Sequence, residues 1–301
     1  LLFLFPFFSL AQNGAVKSVM LDSVMITAVK DGFSVEEFIH YVKTDTTFYQ
    51  GFKNLRYCNH DYHSDLKVLN KSGEIIGSLF RSGKYVITNE QLIVHIDSTF
   101  DDGRIFNRKG EYRHYTPEFF DEIFFPKDTI GVTKFARNGE KRIEDENKQN
   151  EEDAKTIVFS IGSGDVETGN SKNKKKLAVF DIDMQQYYDY LISQETFQDS
   201  IKCYSFTVRM KEDLEKKEEE QILIRELVSF FDKETFNVMY RKYVMSYQNW
   251  LIELDVSVEV YMGYSEGVLI PSYIHYNGFW DIPFAKPEHA DFKLWNYNFK
   301  P

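Results

Sequence analysis

The chain has 301 residues, 43% of them hydrophobic and 16% aromatic, and carries a formal net charge of -11. That apolar content can bury a substantial core, in one large β domain or two smaller ones, while seven Pro and 16 Gly are too few for a fibrous or low-complexity chain. The acidic balance excludes a nucleic-acid partner, because phosphate contact needs a basic face, and it disfavours adhesion to anionic lipid headgroups.

Residues 1–11, LLFLFPFFSLA, form a short apolar run ending in small residues, with Ser9 and Ala11 placed for cleavage after Ala11. The run reads as the apolar region and cleavage end of a signal peptide. It lacks a starting Met and a basic leader, so it reads as clipped, with an exported mature chain expected from about Gln12. It is well short of the ~20 apolar residues of a spanning helix, and no later segment comes close. No Cys near the cleavage point supports lipid attachment.

Ser34 and Glu37 form a capping box ahead of Val35, Phe38, Ile39 and Val42 at helical spacing. A second helical start after Thr44-Asp45 leads into Phe48, Phe52 and Leu55. From Arg56 the period changes to two, and the cluster Asn70-Lys71-Ser72-Gly73 between Val68 and Ile75 predicts a hairpin. A further strand is expected over Tyr85 to Ile96, then a turn at Lys109-Gly110. Thr116-Pro117 reads as the N-cap and first position of a short helix stopped by Pro126. The polar stretch 137–176 reads as a flexible excursion inside one domain spanning 12–301, because strand patterns flank it on both sides. Asp183 is expected to cap a helix through Tyr187 to Leu191, and the charged tip KEDLEKKEEE to join two strands.

The last third alternates most cleanly: Ile252, Leu254, Val256, Val258, Val260 and Met262 interleave with Leu251, Glu253, Asp255, Ser257, Glu259 and Tyr261. With LIRELVSFF before it and GVLIPSYIHYNGFWD and DFKLWNYNF after it, this predicts an antiparallel meander of long strands.

Few motifs carry chemistry. Cys58, His60 and His63 lie in the run CNHDYHSD, whose residue types suit zinc or copper. On a strand, Cys58 and His60 share one face while Asp61, His63 and Asp65 share the other, so neither face holds a full ligand set. A polar strand start explains the same residues. Phe180-Asp181-Ile182-Asp183-Met184 imitates a phosphatase aspartate motif but lacks the small residue and Thr expected next, and Gly162-Ser163-Gly164-Asp165 lacks the Gly-Lys-Ser/Thr of a phosphate loop. His40, His95, His114, His275 and His289 are scattered. No catalytic residue and no cofactor is assigned, and Cys58 and Cys203 read as two separate thiols. A transmembrane barrel is disfavoured by the charged middle and the helix signals.

The order ELVSFFDKETFNV, two long return strands and then Gly267-Val268-Leu269-Ile270-Pro271-Ser272 resembles the second half of outer-membrane lipoprotein-sorting carriers (LolA/LolB-like proteins). The resemblance lies mainly in residues 223–299, and uncharacterised exported proteins of gram-negative bacteria share the layout. It implies an α+β, mainly antiparallel fold: a curved sheet or open half-barrel with one or two helices on its concave face. It also implies a periplasmic or outer-membrane-associated, non-catalytic carrier of an apolar or lipid-like ligand, with lipid or lipoprotein acyl chains as partners. The aromatic residues Phe38, Phe48 and Phe52 are candidates to line such a cavity. The 27 Phe and 19 Tyr equally suit a filled core, which gives the alternative of a structural or interaction protein. A hydrolase with an unrecognised site is a second alternative. The sequence sets no oligomeric state.

Overall fold

Strict alternation of apolar and polar residues commits most of the chain to strands with one buried and one wet face. The structure is a computed structural model and describes residues 17–21, 24–28, 42, 45, 47–89, 91–126, 130–131, 179–180, 182–248, 253–281 and 286–300. The leader-like run, the Ser34–Glu37 capping box with Phe38 and His40, the stretch 137–176 and Asp181 lie outside the described residues.

The strands are β1 (Lys17–Leu21), β2 (Val24–Ala28), β3 (Asn59–Leu69), β4 (Ile75–Thr88), β5 (Gln91–Gly103), β6 (Ile130–Gly131) and β7 (Tyr188–Phe197). They continue with β8 (Ile201–Met210), β9 (Ile224–Asp232), β10 (Val238–Gln248), β11 (Glu253–Ser265), β12 (Val268–Asp281) and β13 (Glu288–Lys300). All belong to one curved sheet, in the order β1-β2-β7-β8-β9-β10-β11-β12-β13-β3-β4-β5-β6, whose two edges do not pair with each other. From β7 to β13 neighbours in sequence are neighbours in space, the expected meander. The sheet then passes to β3 through the β13 pairing, and β2 joins β7 in parallel. Register shifts in the β9–β10, β11–β12 and β4–β5 pairs mark bulges, which bend strands and increase twist.

Turn chemistry sets the tight reversals. The β11–β12 hairpin turns on Glu266 at φ 50 and Gly267 at φ 81, the paired left-handed geometry that matches strand twist. The Asn70–Gly73 and Lys109–Gly110 turns stand where the sequence placed them, with Gly73 and Gly110 both at φ 79.

Three expectations are corrected. Tyr85 to Ile96 is not one strand: Asn89, at φ 52, reverses the chain so that Thr88 pairs with Gln91 and the apolar run is shared between β4 and β5. The segment Tyr187 to Leu191 is not a helix. Tyr188, Tyr190 and Ile192 are buried at every second position as β7 pairs with β8, and Asp183 sits in a single turn, Ile182–Gln185. Aromatic residues at period two favour the pleated surface over a helix. Thr116 is no N-cap either, since the helix α2 (Tyr115–Phe124) starts two residues earlier than expected, with His114 at the cap position, and its first amides are capped by Glu288 of β13.

The other helix over the sheet, α1 (Thr47–Asn54), runs on into a 3-10 turn, Leu55–Tyr57. It packs on β12 and β10, whereas α2 packs on β13. Both cover the face that carries Val258, Val260, Met262, Ile274, Tyr276, Phe292 and Leu294, so the core lies between the concave side of the sheet and these helices.

Candidate functional site

The chemistry of the concave face is set by how each helix is held. On α1, Asp45 accepts from the Thr47 amide at 3.0 Å and from the Thr47 hydroxyl at 2.6 Å, closing the helix start. The second oxygen of Asp45 takes the Arg241 guanidinium of β10 at 3.4 Å, while Arg241 Nε donates to Ser229 Oγ at 3.0 Å. Arg241 is 1% exposed and lies 4.4 Å from the Phe48 ring centre, so its charge is met by carboxylate, hydroxyl and aromatic face together. Burial pulls its guanidinium below its ordinary pKa, against the upward pull of Asp45. At the far end of α1, Asn54 donates to the Leu269 carbonyl at 2.8 Å.

The second helix is fastened at both ends. Glu288 of β13 accepts from the Tyr115 amide at 2.6 Å and from the Thr116 amide and hydroxyl, both at 2.8 Å. A carboxylate at the orphan donors of a helix start is the favourable sign for the helix dipole. Trp280 Nε1 donates to Thr116 Oγ1 at 3.0 Å. Burial alone would push the Glu288 carboxyl up; hydrogen bonds from His114, Thr116 and Tyr115 more than offset this and hold it below the ordinary value. Toward the other end, Arg81 of β4 pairs with Asp121, and the Tyr85 hydroxyl donates to the Phe124 carbonyl. Between these fastenings the contact is aromatic: Phe120 stacks on Phe292 at 4.5 Å and meets Tyr276 edge-on at 5.0 Å, and Phe124 stacks on Phe292 at 5.5 Å. The gap left here, lined by Ser64, Leu66, Leu79, Arg81, Phe120 and Phe292 among others, is about 10 Å³, scarcely the space of one water.

Of the sequence candidates for a cavity lining, Phe48 is buried and Phe52 half-buried, and the two rings meet edge-on at 5.3 Å on the sheet-facing side of α1. Among the described residues the two rings pack against each other and the sheet. Phe38 lies outside the described residues.

The run from Cys58 to Asp65 splits as its alternation required. His60, Tyr62 and Ser64 point inward, while Asp61, His63 and Asp65 point outward. His60 is stacked 4.4 Å from Tyr85, and its Nδ1 bonds the Cys58 carbonyl at 2.8 Å. Burial pulls the His60 imidazole down to about 4 against the opposing influence of the Cys58 carbonyl, Asp61 and Asn296, so it is neutral at pH 7. His63 stacks on Trp295 at 4.3 Å on the outer face. Cys58 and Cys203 are both free thiols, the second fully buried with its pKa pushed up to about 11 by burial. Among the described residues no three His, Cys, Asp or Glu side chains gather as a metal site, and no helix is long and apolar enough to cross a membrane.

The residues that fasten the helices, Arg241, Glu288, Arg81 and Asp121, escaped the sequence reading. Each is a charged residue at an inward position of an otherwise apolar period, and that mismatch is the signal that could have found them.

No family model matches the chain, and no curated protein matches it in sequence. Solved structures are similar to it. One is a Vibrio parahaemolyticus domain described as outer membrane lipoprotein-sorting, 9% identical with a TM-score of 0.27, covering 82% of this chain and 88% of that one. A DUF1329 family protein from Desulfovibrio piger is 12% identical with a TM-score of 0.23, covering 85% of this chain and 93% of that one. Lipovitellin is 9% identical with a TM-score of 0.26, and the match spans 81% of this chain but 25% of lipovitellin.

Proposed function

We propose that this is an exported, non-catalytic binding protein that holds an apolar or lipid-like ligand against the concave face of its open sheet, beneath α2. The observation that carries the reading is the construction of that contact. An aromatic slab of Phe120, Phe124, Tyr276 and Phe292 lies between polar fastenings at the two ends of α2, on a sheet whose edges are not closed. Lifting the helix would expose a face to which each acyl CH₂ contributes about 0.8 kcal/mol on burial. The fastenings set how seldom it lifts, and a site that is open only part of the time binds with affinity reduced by that fraction.

Titration with a fluorescent fatty acid tests this. Saturable binding is expected in the native protein, and tighter binding in Asp121→Asn, which weakens the Arg81 fastening while keeping the side-chain shape. Absence of saturable binding in both would leave the second reading, a structural or interaction protein with a filled core, which the 10 Å³ gap favours.

A further inference from the structure

The outer face of the sheet carries a feature that the concave site does not use. Phe230 of β9, Tyr240 of β10, Tyr261 of β11, Tyr273 of β12, Trp295 of β13 and His63 of β3 are directly cross-strand partners, one after another. Their ring centres follow at 5.0, 4.8, 5.6, 5.2 and 4.3 Å, an unbroken row of partly buried rings across six strands. The buried Phe197 ring of β7 lies against Phe230, Tyr240 and Tyr261, so that Tyr273, Trp295 and His63 form the more open end of the row. At the ~4.8 Å spacing of strands, such a row is about 24 Å long.

Two residues along each strand runs a second row in register with the first: Lys242, Glu259, His275, Lys293 and Asp65. Behind it Asp291 receives His275 Nε2 at 2.8 Å, Asn277 Nδ2 at 3.0 Å and Lys293 Nζ at 3.6 Å. Lys67 meets Asp65 at 2.8 Å, and Lys242 and Arg209 flank Glu226 at 3.5 and 3.0 Å. Acids and bases offset one another here, on a chain whose net charge is -11.

We infer that this outer face is a binding platform for a neutral glycan chain, laid along the aromatic row with its hydroxyls directed at the polar row. A sugar chain has apolar C–H faces for rings to cover and an edge of hydroxyls for carboxylate, amide and imidazole groups, so it satisfies both rows at once. An acyl chain or a second copy of the sheet would strip water from the charged row without replacing its hydrogen bonds. An anionic surface would be repelled by the net charge of the protein and would find no basic excess in the patch. Cross-strand aromatic pairs also stabilise a sheet, so the test has to read something stability does not.

The full chain is titrated calorimetrically with the neutral oligosaccharides cellohexaose, chitohexaose and maltohexaose. At least one probe is expected to bind saturably. Tyr273→Leu and Trp295→Leu, which keep apolar bulk but lose the ring face, should each weaken it by about tenfold, in line with the loss of one stacked ring. Glu259→Gln should weaken it with the melting temperature unchanged, whereas Ile75→Ser, on an exposed residue outside both rows, should bind as the native protein does. The inference is overturned if none of the probes binds, if the ring variants bind like the native protein, or if those variants instead turn a dimer into a monomer.

Discussion

His60 shows how a polar residue is held inside a sheet. Its ring fills a position between Tyr85 and Phe299, and its neutral form satisfies the Cys58 carbonyl. Because the folded pKa is pulled down to about 4 from 6.5, the unfolded chain binds a proton in that window that the folded chain does not. Stability from this residue is therefore full above about pH 6.5 and declines as pH falls toward 4, by at most about 3 kcal/mol. Urea unfolding of the native protein and His60→Gln between pH 7 and 4 checks this: the native protein should lose more, and parallel losses would contradict it. Arg241 gives a second case. Asp45→Ala leaves a 1%-exposed guanidinium without its carboxylate, and the expected loss is about 3–5 kcal/mol. A denaturant midpoint that hardly moves would contradict that assignment.

At the scale of elements, α2 depends on a residue far along the chain. Glu288 lies 172 positions from Thr116 yet supplies the cap of its helix, which is why Thr116-Pro117 looked sufficient as a local start signal. The carboxylate is favoured in the folded state, so its contribution is present above the ordinary carboxylate range and is lost as pH falls through the depressed folded value. Glu288→Ala is expected to lose about 2–4 kcal/mol at pH 7, from charged hydrogen bonds and the unsatisfied helix start. It should also increase amide exchange in Tyr115–Phe124 before the rest of the sheet; uniform change across the chain would contradict the account. Strands β3 and β8 to β13 were legible because alternation is local and strong in them. The β4–β5 turn was not, because Thr88-Asn89 and Gln91 interrupt two apolar runs without a Gly. Strand β7 was misread because a helix and a strand share the same aromatic composition, and only pairing with β8 decides between them.

At the scale of the molecule, a curved sheet with an aromatic concave face followed from pattern and resemblance, but the filling of that face did not. Periodicity shows which side of a strand is apolar; it does not show whether a helix, a ligand or another strand covers it. Phe48 and Phe52 illustrate this, since the spacing that suits a cavity wall suits a packed helix equally well. The inner and outer faces also differ in kind: one is apolar and fastened by buried charges, the other is an aromatic row beside balanced ions. The concave face is proposed to take an apolar ligand when α2 lifts. Native mass spectrometry of the protein purified from its own host, with organic extraction of the same sample, tests it most directly. A bound lipid-like molecule, lost on unfolding and retained at higher occupancy in Asp121→Asn, is the expected result. A bare polypeptide mass in both proteins, with nothing extracted, would contradict it.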